Sequence, residues 1–248
     1  MERTKIFLII VALLIIFIAL GFYIYKQRAP GEKEALETEP TVTAEPTETS
    51  EKTQQKNVWM FGRSVMAGWF EYWGSDVQTP AKRKGYVLEY KGLYEPPDIA
   101  SSFEEYINDL SANEKPVAFF KFCFVDFHGG SKEEANNNLK ENKKYIEEVY
   151  RIAKNKGLKL IIGNALPRVA AETDSYLKWN HKQYNKWLLE LEKKYPEDII
   201  IFDFYNNLVD NSGNLKERFA VDKYDSHLNR EAYDVLDKDF FELLEKNF

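Results

Sequence analysis

The chain has 248 residues, a formal net charge of -6 and 44% hydrophobic residues, which gives room for one globular domain and an appendage. Acidic and basic side chains are intermixed without a basic stripe, so nucleic acid is not an expected partner. Cys123 is the only cysteine, which excludes an internal disulfide and a cysteine-rich metal site.

Ile6–Tyr25 carries no charge and is bracketed by Arg3, Lys5, Lys26 and Arg28. An apolar run of about 20 residues is long enough to cross a bilayer as a helix. Residues 1–28 therefore read as a membrane anchor or a signal segment. Ala19-Leu20-Gly21 offers a small-residue cleavage site, but the apolar run continues through Phe22–Tyr25, which favours an uncleaved anchor. Basic residues on both flanks leave the orientation open. A single-pass protein with an extracytoplasmic domain is the expectation, from the signal-like position of the segment. Residues 29–56 repeat Thr, Glu and Pro with almost no large apolar side chains, the composition of a flexible linker. Residues 57–248 form the expected folded domain.

Val58–Phe61 is an apolar run closed by Gly62, and Val65, Trp69 and Tyr72 then recur at helical spacing. Tyr86–Tyr90 alternates like a strand. Ile99, Phe103, Tyr106, Ile107 and Leu110 make a helical stripe. Val117–Phe127 is a near-continuous apolar run, expected as a central strand covered on both faces. Ser131–Lys156 reads as a long helix with Gly157 as its C-cap. Leu158–Ile162 is the next strand, Ser175–Lys194 a helix, Asp198–Phe202 a fifth strand and Arg230–Lys246 a final helix. This alternation predicts an α/β fold, a three-layer α/β/α sandwich around a parallel five-stranded sheet. Ligands in such sheets bind beyond the carboxyl ends of the strands.

Ser64 lies at the first strand-to-helix turn, where a hydroxyl is held rigidly and helix N–H groups face a developing negative charge. A Gly-x-Ser there also serves as an ordinary turn or cap. Its activation needs a base, and His227 is the best placed of three histidines. Asp225, two residues earlier, can orient the imidazole, or can simply cap a turn. Arg63 can hold an anionic group or pair with Asp126, and is otherwise a surface arginine. Asp126, His128 and His227 lack zinc-like spacing, and no cofactor is expected.

Gly62-Arg63-Ser64-Val65 together with Asp225-Ser226-His227-Leu228-Asn229 resembles the two sequence blocks of the SGNH/GDSL hydrolase family. The resemblance covers residues 57–248 and implies a flavodoxin-like serine esterase or acylhydrolase. Arg63 stands where the family has aspartate. The family places its aspartate three residues before the histidine, where this chain has Tyr224, so Asp225 and Asp222 both stand as candidates. The resemblance implies oxyanion donors at the Ser64 N–H and at Gly92. The family's asparagine donor is replaced by Val125, with Asn164 as the candidate substitute. The implied substrates are small acyl esters, acetylated carbohydrates or lipids, with acyl transfer to a sugar as a variant. A non-catalytic binding or scaffolding domain on the same fold is the rival, favoured by the departures at Arg63, Val125 and Tyr224.

Overall fold

The computed structural model describes residues 56–111 and 114–248. The anchor segment and the linker up to residue 55 lie outside them. Among the described residues no helix is long and apolar enough to cross a membrane.

The chain runs β1 (Lys56–Gly62), α1 (Ser64–Tyr72), β2 (Ala81–Arg83), β3 (Tyr86–Gly92), α2 (Ile99–Asn108) and β4 (Val117–Lys121). It continues through α3 (Lys132–Asn155), β5 (Leu160–Gly163), α4 (Ser175–Lys194), β6 (Ile199–Phe202) and the short α5 (Tyr205–Leu208). The hairpin β7 (Ala220–Asp222) and β8 (Asp225–Leu228) precedes α6 (Arg230–Asn247). The main sheet has the order β2-β3-β1-β4-β5-β6. Its five long strands are parallel, and β2 adds an antiparallel edge. The expected five-strand sheet is thus extended by one strand.

Strand pleating sorts the core into two halves. Val58 and Met60 of β1 and Phe119 of β4 face one side, with Trp69 of α1 and Phe240 of α6. Trp59 and Phe61, with Phe120 of β4, face the other, against Phe103 of α2, Ile146 of α3 and Leu188 of α4. Both faces are covered, so these strands are apolar on both sides and show no polar alternation. Helix starts follow their caps: Ser131 Oγ accepts from Glu134 N–H, Asp174 from Leu177 N–H and Asn229 from Ala232 N–H. Gly157 ends α3 with φ +67°, the left-handed conformation a C-cap glycine supplies.

The expected strand Val117–Phe127 is shorter than its apolar run. Pairing stops at Lys121, and Phe124–Asp126 coil into a single 3-10 turn. Phe122, Phe124 and Phe127 remain buried, so the run's hydrophobicity serves a loop folded back on the core. Sheet order reverses beside β1, with β3 on one side and β4 on the other. Ser64 and the loop after β4 therefore flank the switch point where α/β sheets open a crevice.

Candidate active site

Gly62 closes β1 because a side chain has no room there. An added Cβ would lie 2.5 Å from Met66 Cγ and 3.3 Å from the Lys121 carbonyl. Arg63 follows at the cap position of α1 but makes no capping bond from its side chain. Ser64 is the first residue of the helix, and it is exposed. Its Oγ lies 3.7 Å from Cys123 Sγ, so the hydroxyl rests against the start of the loop after β4.

The same loop meets His227. The Phe124 ring lies 5.0 Å from the imidazole, nearly perpendicular at 86°. Asp225 Oδ1 lies 2.6 Å from His227 Nδ1 and accepts the His227 backbone N–H at 2.9 Å. The backbone N–H and the ring together hold the Asp225 carboxyl below the usual aspartate range. With Nδ1 facing that carboxylate, Nε2 is the ring nitrogen left to act as a base. Asp222 is exposed and accepts the Tyr224 N–H at 2.6 Å across the hairpin turn. Of the two candidate carboxylates, Asp225 is the one paired with the histidine.

Arg63 forms an ion pair with Asp126 and a second, at 3.3 Å, with exposed Glu95. Asp126 Oδ2 also accepts the Cys123 N–H at 2.8 Å. Burial of Asp126 raises its pKa and outweighs the lowering by Arg63 and the Cys123 amide. Arg63 and Asp126 also line a polar hollow of about 220 Å³ with His128, Asn142 and Tyr145.

Gly92 ends β3 directly beside Gly62, and Leu93 N–H donates to the Gly62 carbonyl at 3.1 Å. The loop that follows β3 therefore starts next to the Ser64 turn. Asn164 is engaged elsewhere. Its Oδ1 accepts the N–H groups of Phe204 and Tyr205 at 2.8 and 3.0 Å, and its Nδ2 donates to Asp203 at 2.7 Å. This amide joins the end of β5 to the start of α5.

Sequence reasoning passed over the groups that hold the loop after β4. Asn138 and Asn142 both donate to the Asp126 carbonyl, at 2.9 and 3.0 Å. Asn138 Oδ1 accepts the His128 N–H at 3.0 Å and an Asn180 amide proton at 2.8 Å, and Asn180 also donates to the His128 carbonyl at 3.0 Å. All three amides are buried. The available signal was the helical spacing of Asn138 and Asn142 with Ala135, Leu139 and Ile146, and of Asn180 with Leu177, Tyr184 and Leu188, on the faces that enter the core.

No protein-family model and no curated protein matches the chain. Solved structures do. A GDSL-like lipase from Bacteroides thetaiotaomicron superposes with a TM-score of 0.58 at 17% identity, over 78% of this chain and 90% of that one. A candidate acylhydrolase from Bacteroides fragilis gives 0.55 at 19% identity, over 79% and 89%. A candidate lipolytic protein of the G-D-S-L family from Desulfitobacterium hafniense gives 0.52 at 16%, over 76% and 99%. Taken with the sheet order and the strand-to-helix turn at Ser64, these likenesses show that the chain has the SGNH/GDSL hydrolase fold.

Proposed function

We propose that the protein is a serine esterase or acylhydrolase. The observation that carries this is the placing of an exposed Ser64 hydroxyl and a 2.6 Å His227–Asp225 pair against adjacent residues, Cys123 and Phe124, of one loop. Ser64 Oγ attacks an ester carbonyl while His227 Nε2 takes its proton, and Asp225 stabilises the imidazolium. The N–H groups of Ser64 and Gly92 receive the oxyanion. The alcohol leaves with the proton from His227, and a water activated by the same ring releases the acid. Val125 contributes no side-chain donor, so the site works with two backbone donors. Loss of one such donor costs about 3–4 kcal/mol of transition-state stabilisation, which lowers the rate without abolishing it.

The substrate class is a small acyl ester, including esters of carbohydrates or lipids. Residues 1–28 anchor the domain to a membrane, with the site extracytoplasmic. A fluorophosphonate probe tests the reading. Labelling at Ser64 that is lost in Ser64→Ala and in His227→Ala supports an activated serine. Folded protein that stays unlabelled puts the non-catalytic binding domain ahead.

A further inference from the structure

The residue between Asp225 and His227 faces the other way. Pleating of β8 leaves Asp225 and His227 partly exposed on one face and turns Ser226 and Leu228 into the interior. Ser226 is fully buried, with 0% exposure. Its Oγ accepts the Val169 N–H at 3.0 Å and donates to the Glu172 carboxylate. A backbone amide only donates and an ionised carboxylate only accepts, so the hydroxyl has one satisfied orientation between them.

Glu172 is itself fixed. Arg168 Nε lies 3.4 Å from the same carboxylate oxygen. The Arg168 carbonyl accepts Leu215 N–H at 2.8 Å and the Thr173 hydroxyl at 3.0 Å. The Arg168 guanidinium also lies 5.7 Å from the centre of the Phe124 ring, which packs against the His227 imidazole. Residues 168–173 thus hold the histidine strand from behind, through Ser226, and reach its ring from the side, through Phe124.

We propose that Glu172 is a positioning residue for His227, acting through the buried Ser226 hydroxyl. This rests on the reading of His227 as the base. The carboxylate sets how far β8 stands from the Ser64 turn and keeps the imidazole edge aimed there. Catalytic geometry is steep in such displacements: a shift of about 1 Å costs on the order of 100-fold in rate.

The test compares Glu172→Gln, Ser226→Ala and the double variant, by ester turnover and by the NMR signals of the His227 ring. Glu172→Gln keeps the side chain's size but removes the charge that holds the Ser226 hydroxyl and Arg168, so it serves if Ser226→Ala does not fold. The proposal expects each single variant to lower kcat at nearly constant KM and to shift the His227 ring signals. The double variant should then be no slower than Ser226→Ala, because both changes break one link. Unchanged ring signals and kcat with only a lower melting temperature would overturn it, as would losses that multiply in the double variant. Should the wild type lack esterase activity and fluorophosphonate labelling, the catalytic reading fails, while the ring signals still decide whether Glu172 orients His227.

Discussion

The Arg63 guanidinium forms an ion pair with the buried Asp126 carboxylate, so the residue before Ser64 is tied to the loop after β4. Removing one partner of a buried pair strands the other. Asp126→Asn should cost about 3 kcal/mol, tempered because Arg63 retains Glu95. Urea unfolding measures this. Activity per folded molecule should also fall, since the same loop carries the Cys123 and Phe124 contacts.

The two carboxylates near the histidine should separate cleanly. Asp225→Asn removes the charge that faces Nδ1 and should lower kcat by about 100- to 10,000-fold. Asp222→Asn removes only a turn contact and should leave kcat nearly unchanged. A large loss at Asp222 with none at Asp225 would reassign the pair.

Asn164 should behave as a structural residue. Asn164→Ala orphans the N–H groups of Phe204 and Tyr205, at a cost of about 2–4 kcal/mol. Turnover by the fraction that remains folded should be close to wild type. A 100-fold loss of kcat at unchanged stability would make Asn164 an oxyanion donor after all.

His181 sets an acid limit on stability. The ring is fully buried, neither nitrogen has a hydrogen-bond partner among the described residues, and burial, then Lys121 and Arg168, push its pKa down to about 3. The unfolded chain takes up a proton near pH 6.5, so between these values it binds more protons than the native state. The stability that neutral His181 contributes is full above pH 6.5 and is lost as pH falls, by about 3 kcal/mol at pH 4. Denaturant midpoints from pH 7 to pH 4 check the slope, and His181→Leu should flatten it.

Much of this fold is legible in the sequence where one physical signal dominates. Val58–Gly62 followed by helical spacing placed Ser64 at a strand-to-helix turn, and apolar periodicity marked helices over Ser175–Lys194 and Arg230–Lys246, which the structure has as α4 and α6. The errors have equally local causes. Val117–Phe127 is apolar throughout, and periodicity cannot tell a buried strand from a buried loop, so the turn at Phe124–Asp126 was hidden. Ala81–Arg83 is only three residues long with two exposed basic side chains, too short to show alternation. Glu172 and Ser226 are 54 residues apart, and nothing in either neighbourhood announces that they meet.

The polarity of β1 has a consequence for attachment. Lys56 opens the strand, and its ammonium donates to the carbonyl of Phe248, while Ser64 lies just past the other end. A seven-residue strand separates the two by about 20 Å. Both ends of the folded unit therefore leave from one pole, and the hydroxyl opens at the other. A resin, a fusion partner or a supporting surface joined at either end meets the back of the domain. Bulky molecules can then approach Ser64 from the open side without passing whatever holds the protein in place.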